Sequence, residues 1–107
     1  MTSSDTVAQT PVADLQTVLS ALADPVRLEM ARRLQHVESL SCAALYESVT
    51  KATASHHFKI LREAGVVERH AAGQGARYSL RADDVDAAFP GLLSAVLSAA
   101  DAGLRAE

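Results

Sequence analysis

Side chains able to hydrogen-bond a base edge or hold a phosphate are concentrated in one run, KATASHHFKILREAGVV, from Lys51 to Val67. At 3.6 residues per turn, Ala52, Ser55, His56, Lys59 and Arg62 fall on one side of a helix, and Ala54, His57, Phe58 and Leu61 fall on the other. The first set offers hydroxyl, imidazole, ammonium and guanidinium groups with only small residues between them, so it could approach a base pair without steric bulk. The second set has the i, i+3, i+4, i+7 spacing that turns a stripe toward a core. Thr50 supplies an N-cap and Gly65 a C-terminal stop, which bounds the helix at about four turns. Alone, such a helix is as well explained by a solvated amphipathic face as by insertion into a DNA groove.

The flanking elements decide between these. After Gly65, two β-prone runs, Val66 to His70 and Arg77 to Arg81, are separated by a loop containing Gly73 and Gly75, the pattern of a hairpin. Before it, Ser41 caps a short helix from Cys42 to about Ser48 with Leu45 facing inward, and Val49–Thr50 makes the turn. Helix, turn, helix and basic hairpin give the outline of a winged helix-turn-helix, mainly α with a small β-hairpin. In that scheme the short helix crosses the DNA backbone and the next one enters the major groove.

On LADPVRLEMARRL (Leu22 to Leu34), TKATASHHFKILREAGVVERH (Thr50 to His70) and GARYSLR (Gly75 to Arg81), the chain resembles the ArsR/SmtB-type bacterial repressors. The resemblance covers the middle of the chain, and SHHFKILREAG is its most specific run. It implies a DNA-binding repressor in which the first and last helices pair two subunits.

Composition is compatible with this once charge is divided along the chain. The net charge is −3, but residues 51–81 hold six Lys/Arg against two acids, while the segments on either side carry −3 and −4. A basic centre between acidic flanks suits a protein that meets phosphate with one surface only; His56, His57 and His70 lie in the same segment. At 107 residues the chain is one domain, expected as a flexible tail over residues 1–10 and a folded unit over 11–107. No apolar run approaches a membrane span and no signal peptide is read at the N-terminus, so a cytoplasmic location is expected. The single cysteine excludes an intrachain disulfide.

The remaining elements follow in order. Pro11 to Leu22 reads as a first helix with Val12, Leu15, Val18, Leu19 and Leu22 at helical spacing. Asp24-Pro25 starts a second, to about Gln35, burying Val26, Met30, Ala31 and Leu34, with Arg27, Arg32 and Arg33 on a solvated face. Asp83, Asp84 and Asp86 open a helical segment that Phe89-Pro90-Gly91 interrupts. Leu92 to Arg105 forms the last helix, with an apolar stripe of Leu93, Val96, Leu97, Ala100 and Leu104. A small monomer would struggle to cover this stripe and that of the first helix, so a homodimer is expected, with recognition helices one DNA turn apart on an inverted repeat.

Base contacts are assigned to Lys51, Thr53, Ser55 and His56, with Ala52 offering a methyl to thymine. Thr50, Lys59 and Arg62 are assigned to the phosphate backbone, and Arg77 to the wing, with Arg69 and Gln74 weaker. His57 occupies the histidine position of the family's S-x-H pattern, and its role is open between a packed structural residue and a phosphate donor.

The switching signal, an inducer of unknown kind, is the least legible part. The resemblance implies metal sites in many members, but where one such site has a C-x-C pair this chain has Leu40, Ser41 and Cys42, and its last helix has Asp101 and no histidine. No metal is expected in either familiar site, and no cofactor. Cys42 in the first turn of a helix could serve as an oxidant-sensing thiolate, although a small buried hydrophobe is the preferred reading. Ser55 beside His56 and His57 does not make a catalytic relay, because successive helix residues diverge. A winged-helix protein-interaction module without DNA affinity remains the main alternative.

Overall fold

A computed structural model describes residues 10–45, 49–72 and 75–106, apart from the side chains of residues 42, 72 and 104–106. In chain order the elements are α1 (Leu15–Ala23), α2 (Pro25–Leu34), β1 (Leu40–Ser41), α3 (Cys42–Leu45), α4 (Lys51–Glu63), β2 (Val67–Ala72), β3 (Gly75–Leu80), α5 (Ala82–Ala88) and α6 (Leu92–Ala106). The architecture is the mainly helical winged helix-turn-helix expected from the sequence.

Helix starts follow the chemistry of their caps. Asp24 accepts from the Val26 and Arg27 amides at 2.8 and 3.1 Å, and Pro25 occupies the first helical position without a missing hydrogen bond. Burial acts to raise the Asp24 pKa, but the two amides and the Arg27 charge outweigh it and hold the carboxyl below its usual value. A carboxyl lowered on folding stabilises fully above its unfolded pKa and loses that contribution as pH falls through the folded value. Asp24→Ala is therefore expected to cost about 1 kcal/mol near neutrality, with the difference from the parent closing below about pH 4. Urea denaturation at both pH values checks this; a difference that persists in acid would contradict the capping role.

One boundary differs from the sequence reading. The first helix starts at Leu15 and not Pro11, because Asp14 takes the N-cap position and accepts from the Thr17 amide at 2.9 Å. Residues 10–13 form a strap across the molecule instead: the Ala13 amide donates to Ala64 O at 3.0 Å, and buried Arg81 donates to Thr10 O. Of the tail expected over residues 1–10, residues 1–9 lie outside the described part, as do residues 46–48 at the end of the expected third helix. Ser41 does cap that helix, accepting from the Ala44 amide at 3.2 Å.

The sheet is antiparallel in the order β1-β3-β2. The wing hairpin pairs Val67 with Leu80 through Ala72 with Gly75, and β1 adds Leu40 and Ser41 opposite Tyr78 and Arg77. This third strand was not anticipated; two residues carry no alternation from which to read it.

One core joins all the helices to the sheet. Val18 and Leu22 of α1, Met30, Ala31 and Leu34 of α2, Ala54, Phe58 and Leu61 of α4, Val66, Val67, Tyr78, Val85, Leu93 and Leu97 are buried together. The stripe expected to leave α6 uncovered is thus partly closed within the chain, since Leu93 and Leu97 face inward and α6 rests on α2. On α1 the outer face stays open, with Leu15 and Leu19 43% and 41% exposed.

Candidate nucleic-acid interface

The face offered to a ligand is set by how α4 is held. Thr50 caps the helix: its Oγ1 accepts from the Thr53 amide at 3.1 Å and donates to Thr53 Oγ1 at 2.9 Å. At the other end the Gly65 and Val66 amides donate to the carbonyls of Arg62 and Leu61, both at 3.0 Å, which closes a Schellman turn. Between the caps, Ala54, His57, Phe58 and Leu61 are buried. Lys51, Ala52, Thr53, Ser55, His56 and Lys59 are exposed and Arg62 is half-buried. The two-sided division read from the sequence is the one observed.

The exposed face is small at its N-terminal half and cationic along its length. Lys51, Ser55 and His56 project from the first turns, where a groove-inserted helix meets base edges. Lys59 approaches Glu63 at 3.9 Å, an exposed i, i+4 pair that solvent largely screens, so its ammonium can be drawn to a phosphate at small cost.

His57 is only 8% exposed, and its ring faces α2. Arg27 Nη1 lies 3.0 Å from His57 Nδ1, Arg27 Nε donates to Ala21 O at 2.7 Å, and Nη2 to Ser20 O at 3.4 Å. Both carbonyls lie near the end of α1. Of the two roles left open by the sequence, the packed one matches this placement.

The other arginines of α2 are engaged as well. Arg32 bonds Glu29 at 2.7 Å and Asp101 at 3.3 Å, and Arg33 donates to Ala44 O at 2.9 Å. The face read as solvated is instead a set of ties to α1, α3, α4 and α6. Sequence could not have shown this, since an exposed and a bridging arginine have the same spacing.

The wing is joined to α4 through aromatic stacking: Phe58 and Tyr78 have ring centroids 4.2 Å apart and planes 11° from parallel. On the wing's other face Arg77 is exposed, with Nε donating to Ser39 Oγ at 2.9 Å and Nη2 to Ser39 O at 3.2 Å. Arg69 is exposed, and His70 bonds Ser79 Oγ at 2.8 Å while lying 3.5 Å from Glu68. Gln74 at the wing tip lies outside the described residues. Arg81, counted among the basic residues of this segment, is 8% exposed and paired with Asp84 at 3.0 Å, so its charge serves the fold and not the surface.

The candidates for switching lie elsewhere. Cys42 opens α3 directly after its cap; its side chain is not among those described. Asp101, the one acid inside the last helix, accepts from Gln35 at 3.0 Å and Arg32 at 3.3 Å and lies 3.4 Å from His36 Nε2. Burial acts to raise its pKa, but Arg32 and His36 outweigh this and lower it, so it remains an anion that fastens α6 to α2. Among the described residues no group of three or more His, Cys, Asp or Glu side chains is placed to hold a metal, and no single helix is long and apolar enough to cross a membrane.

Known proteins share both the sequence pattern and the fold. Residues 22–70 match a family described as a helix-turn-helix domain. An uncharacterised HTH-type transcriptional regulator of Bacillus subtilis, YceK, is 38% identical over 79 residues, spanning 71% of this chain and 79% of that protein. Among solved structures, the homodimeric winged helix-turn-helix DNA-binding domain of Mb0332 from Mycobacterium bovis, a possible ArsR-family regulator, superposes with a TM-score of 0.67. It is 25% identical, and the match covers 87% of this chain and 83% of that one. The transcriptional repressor BigR of Xylella fastidiosa gives 0.63 at 26% identity, covering 78% of this chain and 83% of the other.

Proposed function

Because the chain belongs to the ArsR/SmtB-type winged helix-turn-helix transcriptional regulators, a family of DNA-binding proteins and not of enzymes, we propose that it is a cytoplasmic, homodimeric repressor. It binds an inverted-repeat operator and leaves it in response to a signal yet to be identified.

The observation that carries this reading is the outer face of α4. Lys51, Thr53, Ser55 and His56 are exposed there over a back that is buried, so the helix can enter a major groove without unpacking. Lys51 and His56 take the base edges with Thr53 and Ser55, while Thr50, Lys59 and Arg62 hold the phosphate backbone. Arg77 serves the wing, with Arg69 and Gln74 beside it.

Dimerisation is supported by the exposed Leu15 and Leu19 on α1 and by the small residues Ser94, Ala95, Ser98, Ala99 and Gly103 exposed along α6, which permit close helix approach. Such a dimer would set its two recognition helices about one DNA turn, roughly 34 Å, apart. Mb0332 is homodimeric and BigR is a transcriptional repressor, in agreement with this arrangement.

Fluorescence anisotropy with DNA from upstream of the protein's own gene, against an unrelated duplex at two salt concentrations, tests the proposal. The protein is expected to bind its own upstream DNA selectively and more weakly at higher salt. His56→Ala should erode the preference between duplexes by about 1–3 kcal/mol, whereas Lys59→Ala should weaken both equally and reduce the salt slope by about one. Identical behaviour of the two variants would refute this division of roles. Absence of binding to either duplex at low salt would turn the reading to a winged-helix module that docks on protein.

A further inference from the structure

Arg27 and His57 meet where three helices converge. The guanidinium holds two carbonyls near the end of α1, Ala21 O at 2.7 Å and Ser20 O at 3.4 Å, and presents its remaining nitrogen to His57 Nδ1 at 3.0 Å. An arginine has donors and no acceptor, so a hydrogen bond here requires His57 Nδ1 to accept, with the imidazole proton on Nε2. Arg27 therefore connects α1, the helix with the exposed Leu15 and Leu19, to the buried back of the recognition helix.

Resting on the DNA-binding reading above, we infer that Arg27 and neutral His57 form a joint that positions the recognition helix, and that protonation of His57 opens the joint and weakens DNA binding. Protonation places an N–H on Nδ1, donor against donor and cation beside cation. The acceptor within reach is Asp24 Oδ2, 3.9 Å from Nδ1 and already accepting from the Val26 and Arg27 amides. Turning the ring toward Asp24 gives up the Arg27 contact, which releases the buried back of α4 from its tie to α1. The charged and titratable groups around the ring, among the described residues, are Arg27 and Asp24 from the α2 side and exposed His56 from α4, with ring centroids 5.8 Å apart. From α1 come only backbone carbonyls, through Arg27.

The direction of the effect separates this role from ordinary histidine electrostatics. Positive charge added to an exposed side chain beside DNA strengthens binding. His57 works oppositely, because its charge is set against Arg27 inside the fold. Arg27 is thus a positioning residue that need not touch DNA.

The test uses the full chain and its own upstream duplex at about pH 8 and about pH 6. His57→Asn keeps a short acceptor for Arg27 and cannot titrate; His57→Ala removes the acceptor. For the parent protein, affinity is expected to fall about tenfold between the two pH values, the effect of one hydrogen bond to a charged group. His57→Asn should bind within about twofold of the parent at the higher pH and lose the fall, and His57→Ala should bind about tenfold more weakly at both. Persistence of the fall in His57→Asn, or a rise in parent affinity that His57→Asn leaves unchanged, would overturn the inference.

A second readout needs no DNA. Nitrogen-15 imidazole spectra of the parent at the higher pH should show His57 protonated on Nε2 and accepting at Nδ1; a proton on Nδ1 would overturn the joint. Failure to bind DNA at either pH would reject the regulator reading, while the spectra would still decide whether the joint exists.

Discussion

Phe58→Ala is expected to destabilise the protein by about 3–5 kcal/mol, the usual cost of emptying a fully packed aromatic site. Phe58 is 3% exposed, and its ring lies flat on Tyr78 with centroids 4.2 Å apart. Removing it opens a void between α4 and β3, within a core packed too closely to fill such a space well. A domain of this size has a total stability of about 5–15 kcal/mol, so much of the margin would disappear. The functional consequence follows from position: this stack ties the helix that carries His56 to the strand that carries Arg77. Phe58→Leu should keep most of the volume, lose less than half as much stability as Phe58→Ala, and remain testable for DNA binding. Urea titration followed by circular dichroism measures both variants. A loss below about 1 kcal/mol for Phe58→Ala would mean that the site collapses and the stack does not fix the wing.

Gly65→Ala is expected to cost about 2–4 kcal/mol through two separable causes. Gly65 has φ of +81°, a left-handed conformation that a side chain makes costly. A Cβ at this position would also lie 2.6 Å from Val12 Cα, 2.8 Å from Pro11 O and 3.0 Å from Val12 N. These are backbone atoms and cannot rotate aside, so the strap would have to lift and its Ala13 to Ala64 hydrogen bond would stretch. Gly91 separates the causes, because it has the same φ of +81° with nothing within 4 Å of its Cβ position. Gly91→Ala should therefore lose only the conformational part, about 1 kcal/mol. Thermal melts of the two variants side by side measure the difference; equal losses would show that the strap yields freely and that its approach to Gly65 contributes nothing.

The strap illustrates what a linear pattern omits. Val12 has the right spacing to extend the first helix backward, and helical periodicity includes it. In the fold, Asp14 caps the helix later, and residues 10–13 lie against the end of α4. The glycine that was legible as a helix stop is also the gap that admits this strap, a second function invisible without its neighbour.

Local chemistry determined a good deal by itself. Asp24-Pro25 fixed the start of α2, and Thr50 and Gly65 the two ends of α4, because caps and left-handed turns depend on residues within a few positions of one another. The same locality divided α4 into a buried back and a polar front, so the residues proposed to meet DNA could be named before any packing was known. Tertiary structure decided the partners of the long polar side chains. Arg27, Arg32, Arg33 and Arg81 reach carbonyls and carboxylates up to 71 residues away in sequence, and Asp101 fastens the last helix to the second. An arginine's type and spacing specify its charge and its reach, but only the folded chain specifies what lies within that reach. For the same reason His57, one position from a residue facing solvent, became readable as a partner of Arg27 only once α2 was placed beside α4.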